Sequence, residues 1–170
     1  MKKLVLFVAL MATFALSAVT LKAADPTPWK IIDLENVTKH GGNCDFDDET
    51  LTATFKEKWD RWFDLPEVNG DLSEHTKLTM VIKKSTCMLK VVLRYKDADG
   101  KQQQVDAATF YRQMGKTIDK DTKIECDLTN KGKIGEDVLK NITSIRISMA
   151  KAVDGNEEPW ETQFGEMTIK

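Results

Sequence analysis

Tryptophans and arginines, rather than the usual catalytic groups, are the side chains in this sequence best suited to chemistry. Indole rings stack on flat apolar surfaces such as the face of a sugar ring, and guanidinium groups donate paired hydrogen bonds to polar groups. Trp62, Arg94 and Arg146 all lie in or beside runs of alternating apolar residues. We predict that they form a ligand-binding face, with Glu125 as an acceptor on the same side.

Strand parity is the basis of that prediction. Neighbouring residues of a strand point to opposite faces of the sheet. Trp59 and Phe63 therefore point one way and Trp62 the other. If Phe63 and Trp59 pack into the core, Trp62 shares a face with Arg94 and Arg146. The alternative is that Trp62 is a core residue and that the arginines lie on a solvated face.

A second candidate lies in a polar loop near the end of the sequence. Trp160 follows the segment 154–159, Asp-Gly-Asn-Glu-Glu-Pro, where a ring could stand at the rim of a site. Loops on a rigid scaffold often carry function. The alternative is that Trp160 only packs this loop onto the domain. Phe110 and Tyr111 are weaker candidates, since most such aromatic residues anchor long loops.

Catalysis is not expected from this sequence. His40 and His75 are far apart and lie in turn-like settings, and no serine lies in a Gly-x-Ser-x-Gly motif. With 27 acidic residues, a carboxylate pair of the kind that hydrolyses glycosides is the enzymatic alternative left open. We predict a binding protein rather than an enzyme.

The three cysteines leave at least one thiol unpaired. Cys87 and Cys126 fall on the inward faces of two predicted strands, so they are candidates for a disulfide. The alternative is that both are buried free thiols. Cys44 lies in a Gly-rich turn and is the expected odd thiol.

Nine short runs of β-branched and aliphatic residues predict an all-β, antiparallel sandwich. The Asp-Gly pair at 99–100 predicts a tight hairpin, and the segment 135–141 predicts one short helix. Apolar residues alternate in the run 87–96, which indicates a strand buried on one face. The runs are Trp29–Glu35, Leu51–Phe55, Arg61–Leu65, Lys77–Lys83, Cys87–Lys96, Gln102–Ala107, Lys123–Leu128, Ser144–Ala150 and Phe164–Lys170.

The first residues have the pattern of a cleavable export signal, with two lysines before an apolar stretch and small residues after it. We predict a signal peptide over 1–23, a single β-sandwich domain over 24–170, no membrane anchor, and a periplasmic or extracellular location. Removing Lys2, Lys3 and Lys22 reduces the 25 basic residues to 22 against 27 acidic ones, a net charge of −5. This balance argues against nucleic acid as a partner.

Four segments carry a family resemblance: Asp71–Leu78 before one strand, the hairpin Leu93–Lys101, the strand entry Leu139–Ile147, and Thr52–Phe55 followed by the aromatic Trp59–Phe63. Together they resemble the galactose-binding-like jelly-roll modules, which are non-catalytic carbohydrate-binding modules common in exported proteins of glycan-degrading anaerobic bacteria. The resemblance implies an eight- or nine-stranded jelly roll that binds sugar on a concave face or at its end loops.

The resemblance also implies a structural calcium ion between the early strands and the last strand. That position points to Glu35, Asp47 or Asp48, and Glu166 as ligands. The acidic cluster at 45–49 lacks the spacing of a twelve-residue calcium loop, so the alternative is a solvated acidic turn.

The sequence therefore predicts an exported, non-catalytic protein that binds an oligo- or polysaccharide by aromatic stacking and arginine hydrogen bonds. The alternative is a structural or protein-interaction module of the cell envelope, with a protein as its partner. A groove with rings over polar side chains favours sugar, whereas a flat apolar patch of several hundred Å² favours a protein.

Overall fold

Short antiparallel strands make up about half of residues 30–170, the part of the chain that the structure, a computed structural model, describes. The predicted signal peptide and Trp29 lie outside the described residues. The strands are β1 (Lys30–Ile31), β2 (Cys44–Asp47), β3 (Thr52–Phe55), β4 (Trp62–Asp64), β5 (Lys77–Ser85), β6 (Cys87–Lys96), β7 (Gln102–Thr109), β8 (Thr122–Asp127), β9 (Ile142–Ala152) and β10 (Trp160–Ile169). A 3-10 turn spans Leu34–Asn36, and the helix α1 spans Glu136–Leu139.

The strands form two antiparallel sheets. The six-stranded sheet has the order β2-β3-β10-β5-β8, with β1 also paired to β10, and the four-stranded sheet has the order β4-β9-β6-β7. Strands β3 to β10 thus form two layers of four strands each, β3-β10-β5-β8 and β4-β9-β6-β7. This is the strand order of a jelly roll. The predicted antiparallel sandwich is confirmed, and β2, which has no counterpart among the nine predicted runs, brings the described strands to ten.

One cluster of buried apolar side chains lies between the two sheets. Phe63 of β4 contacts two rings of the opposite sheet, with its centroid 4.9 Å from that of Phe46 and 5.5 Å from that of Phe164. Both spacings lie within the range of favourable aromatic contacts. This trio joins the two sheets near the start of β4.

The central strand β6 follows the predicted alternation. Leu89, Val91 and Leu93 are fully buried between the sheets. Val92 points to the opposite face and is nevertheless 3 % exposed. Its partners on the neighbouring strands are Arg146 and Asp106, and such long side chains cover the apolar strip between them.

The predicted hairpin and helix are both present. Asp97 Oδ1 accepts hydrogen bonds from the backbone N–H groups of Asp99 and Lys101, at 3.0 and 2.9 Å, and closes the turn between β6 and β7. Gly100 has φ +76°, a conformation that glycine adopts without strain. The four-residue helix α1 lies within the predicted segment 135–141.

The beginning of the domain differs from the prediction. The predicted strand 29–35 is a strand only at Lys30–Ile31, because the Asp33 carboxylate caps the 3-10 turn by accepting from Glu35 N at 3.2 Å. Cys44 does not lie in a turn: it is buried at the start of β2, a strand that the sequence did not predict. Leu34, inside the predicted strand, instead begins this 3-10 turn and is buried.

Candidate functional site

Asp64 is the centre of a hydrogen-bonded network on the outer face of the four-stranded sheet. Its carboxylate accepts from Arg146 Nε at 2.7 Å, from Arg94 Nη1 at 3.5 Å and from Ser144 Oγ at 3.4 Å. The Asp64 side chain is only 5 % exposed although it points away from the core. A charge buried to this degree is costly unless it is paired and hydrogen-bonded, and the two arginines satisfy it.

The structure places Trp62, Arg94 and Arg146 on one face, as strand parity predicted for them. The Arg146 guanidinium carbon lies 3.2 Å from the centroid of the Trp62 ring. The Trp62 Nε1 group donates to Asp60 Oδ1 at 2.6 Å. One face of this ring is therefore occupied by a cation, and Trp62 supports the network rather than offering that face to a ligand.

Trp59 is the exposed ring of this region, so the condition considered for the pair holds for Phe63, which is buried, but not for Trp59. Its side chain is 76 % exposed. Trp59 lies in the loop before β4, where Glu57 and Asp60 have φ values of +52° and +54°. Residues other than glycine rarely adopt this left-handed conformation, so strand parity does not extend across the loop.

Hydrogen bonds hold the Trp59 loop in place. Asn43 Nδ2 donates to the Trp59 carbonyl at 3.0 Å, and Gly42 N donates to Asp60 Oδ2 at 2.6 Å. The Gly42 bond, followed by the Trp62 bond, lowers the pKa of the Asp60 carboxyl. A Cβ on Gly41 would lie 2.0 Å from the Asp60 carbonyl oxygen, so only glycine allows this approach. These contacts fix the backbone of the loop that carries the exposed Trp59 ring.

A small polar cavity adjoins Asp64 at the edge of the sheet. Its volume is about 160 Å³, and its lining includes Lys39, Asn69 and Ser144. Sites for small molecules usually measure about 300–1,000 Å³. The cavity is therefore large enough for only a part of such a ligand.

Glu125 does not belong to this face, and its predicted role as an acceptor on the same side as Arg94 is wrong. It lies on β8, in the other sheet, where it pairs with Lys77 at 3.2 Å and Lys123 at 3.0 Å. Strand parity gives the face of a residue but not the sheet to which its strand belongs, and this is why the prediction failed.

Trp160 also lies apart from the Asp64 network. It begins β10 in the six-stranded sheet, is partly buried, and packs against the core. Its Nε1 group donates to the Asn156 carbonyl at 3.3 Å, and the Arg61 guanidinium lies 5.5 Å from its ring centroid. These contacts agree with the interpretation of Trp160 as a residue that packs its loop onto the sandwich.

An open groove of about 590 Å³ separates β7 from β8, the two edge strands on the same side of the sandwich. Phe110 is 2 % exposed and anchors the loop after β7, whereas Tyr111 is 60 % exposed. Groove-lining side chains include Tyr111, Arg112, Glu125, Asp127 and Asn130. Tyr111, a weaker candidate by sequence, is thus the more accessible of the two neighbouring rings.

The predicted calcium ligands do not form a cluster. Among residues 30–170 no group of three or more His, Cys, Asp or Glu side chains is placed to hold a metal ion. The Asp47 carboxylate instead accepts from the backbone N–H groups of Glu49 at 3.0 Å and Thr50 at 3.1 Å. Calcium binding by Glu35, Asp47, Asp48 and Glu166 stays a prediction, without a formed site in this geometry.

All three cysteines are free and buried, so the predicted Cys87–Cys126 disulfide is absent from the structure. Both side chains point inward as expected, from β6 and from β8 of the opposite sheet, but they lie near opposite ends of β10. Cys87 lies beside Thr162, whereas Cys126 pairs with Leu78, the partner of Ile169. The Cys87 Sγ atom lies 3.4 Å from Thr162 Oγ1. Burial raises the pKa of Cys44 and of Cys126 to about 12.

Because of this burial we expect the native protein to resist alkylation at pH 8 and the unfolded protein to take up three labels. The folded pKa values lie above the ordinary 9.0. The thiols therefore contribute stability that is complete below pH 9.0 and is lost as the pH rises toward 12. Mass spectrometry after iodoacetamide treatment, with and without urea, measures the labelling. Rapid labelling of the native protein would contradict the burial of these thiols.

Comparison with protein-family models and with curated proteins finds no match for this chain. The class of the protein is therefore defined by its fold, an antiparallel jelly-roll sandwich.

Proposed function

We propose that this protein is an exported, non-catalytic carbohydrate-binding module that holds its ligand beside Trp59 on the four-stranded sheet. The observation that carries the proposal is the exposed Trp59 ring, 76 % accessible, on a hydrogen-bonded loop that is joined through Asp60 to the Asp64 network. A rigid exposed indole loses little conformational entropy when a ligand covers it.

The chemistry of the neighbouring side chains suits hydroxyl groups. Arg94 and Arg146 are oriented by Asp64, yet each guanidinium carries five donors and uses only some of them in this network. Planar groups fixed in this way bind without first having to be ordered. The polar cavity beside Asp64 offers further space for part of a polar ligand.

The alternative, an interaction module of the cell envelope, has less support from the exposed side chains. The large apolar residues that stand out from residues 30–170 are Ile31, Trp59 and Tyr111. They lie on β1, in the loop before β4 and in the loop after β7. Separate exposed side chains of this kind do not form the contiguous patch that a protein partner requires.

The proposal is tested by screening the chain without its predicted signal peptide on an array of plant, host and microbial glycans. We expect retention on at least one glycan class, because the exposed ring and the arginine donors are already in place. Parallel arrays in calcium and in a chelator test the calcium prediction separately. Absence of binding to every glycan in both conditions would refute the proposed function and favour the envelope interaction module.

A further inference from the structure

The two exposed aromatic rings of residues 30–170 flank the same sheet. Trp59, 76 % exposed, precedes β4, and Tyr111, 60 % exposed, follows β7. Strands β4 and β7 are the two edges of the four-stranded sheet. One ring therefore lies next to an end of each edge strand.

Both rings also stand at the same end of that sheet. Because neighbouring strands are antiparallel, the start of β4 and the end of β7 lie at the two ends of one cross-strand row. The pairing places Trp62 opposite Ser148, Ser148 opposite Lys90, and Lys90 opposite Thr109. Trp59 is three residues before the first member of this row, and Tyr111 is two residues after the last.

The strand spacing sets the length of the row from Trp62 to Thr109. Adjacent strands are separated by about 4.8 Å, so three steps across the sheet place the ends of the row about 14 Å apart. A single sugar ring is too short to contact residues at both ends. A linear chain of several sugars has the required reach.

The surface between the two rings is polar enough to hold hydroxyl groups. Lys90 lies in the middle of the row and pairs with Asp106 of β7 at 3.3 Å. Arg146 and Asp64 form the adjacent row. The Lys90–Asp106 ion pair thus lies where the middle of an extended ligand would pass, whereas the Ser148 hydroxyl beside it is buried.

The far end of the row opens into the groove between β7 and β8. The pairing of β6 with β7 shifts at Val91–Val92, so β7 carries a bulge at the point where the groove begins. Bulges at sheet edges re-aim the strand and its side chains. The groove volume of about 590 Å³ falls within the range of ligand sites.

We infer that the ligand is a linear oligosaccharide that crosses the four strands from Trp59 to Tyr111, with Tyr111 as the distal contact. This inference rests on the proposed function and adds to it the length and direction of the ligand. It makes Tyr111 and the β7–β8 groove part of one extended binding surface rather than a separate site.

The test is the dependence of affinity on chain length. Titration calorimetry would use linear β-1,4-linked gluco-, manno- and xylo-oligosaccharides of one to six residues with the wild type, Tyr111→Ala and Trp59→Ala. We expect affinity to rise with length and Tyr111→Ala to weaken only the longer ligands, by roughly three- to tenfold, the range expected for one aromatic contact. Ile31→Ala removes a 66 % exposed apolar side chain from the other sheet and serves as the matched control.

The outcomes separate the two proposals. If the wild type binds but Tyr111→Ala matches it at every length, the extended surface is refuted and sugar binding beside Trp59 stands. If Tyr111→Ala weakens the shortest ligands as much as the longest, the groove is a separate site and the inference is also refuted. If the wild type binds neither these oligosaccharides nor any of the arrayed glycans, the proposed function itself fails.

Discussion

Replacing Asp64 by alanine is expected to destabilise the protein by about 3–5 kcal/mol, the cost of leaving a buried ion-pair network without one partner. The Asp64 side chain is 5 % exposed and the Arg146 side chain 14 % exposed, so water cannot readily replace the lost carboxylate. The Arg146 guanidinium would also remain held against the Trp62 ring at 3.2 Å. Urea unfolding followed by circular dichroism gives the change in the free energy of unfolding.

The exposed ion pair between Asp45 and Lys56 provides the control for that experiment. Its side chains are 65 % and 52 % exposed, respectively, so Asp45→Ala is expected to change the stability little. If Asp64→Ala were as mild as Asp45→Ala, the Asp64 network would be solvated and would not fix the arginines. That result would remove the physical basis for oriented donors on this face.

The neighbouring substitution Phe63→Ala is expected to cost about 3–5 kcal/mol for a different reason. Phe63 is fully buried and its ring contacts both Phe46 and Phe164, so alanine would open a cavity between the two sheets. The same urea experiment measures the loss.

Trp59→Ala is the control for Phe63→Ala, because it removes a large aromatic ring that is 76 % exposed. Its effect on stability is expected to stay within about 0.5 kcal/mol. A loss for Trp59→Ala comparable to that of Phe63→Ala would show that Trp59 is packed, and would contradict its assignment as a free ring.

The alternation of apolar residues explains why the fold was predictable. In β6 and β9 the inward positions are occupied mainly by leucine, isoleucine and valine, with Cys87 and Met149 completing them, and a shift by one residue would expose these side chains. The Asp-Gly turn at 99–100 then fixes the pairing of β6 with β7. Hydrophobic pattern and turn chemistry point to the same structure in this part of the chain.

Short polar strands were harder to recognise. In β2 the sequence Cys-Asp-Phe-Asp has only two apolar residues, which is too short a pattern to distinguish from a loop. The strand forms because β3 offers it four paired residues and because Cys44 and Phe46 pack against the core. These are long-range contacts that local sequence does not encode.

The candidate site was predictable only in part. Parity within single strands places Trp62, Arg94 and Arg146 correctly, and the same rule, applied two residues after Trp62, would have found Asp64. It could not place Glu125, whose sheet depends on strand order, or Trp59, whose loop breaks the alternation with two left-handed residues. The exposed ring on which the proposal rests is therefore visible only in the folded chain.

The affinity of the wild type and of Trp59→Ala for the best ligand of the glycan array is the most direct test of the proposed function. Calorimetric titration is expected to show saturable binding by the wild type, at least a tenfold loss in Trp59→Ala, and unchanged binding in Ile31→Ala. A tenfold change corresponds to about 1.4 kcal/mol. Equal affinity of the wild type and Trp59→Ala, or no binding by the wild type to any glycan, would contradict sugar binding at this face.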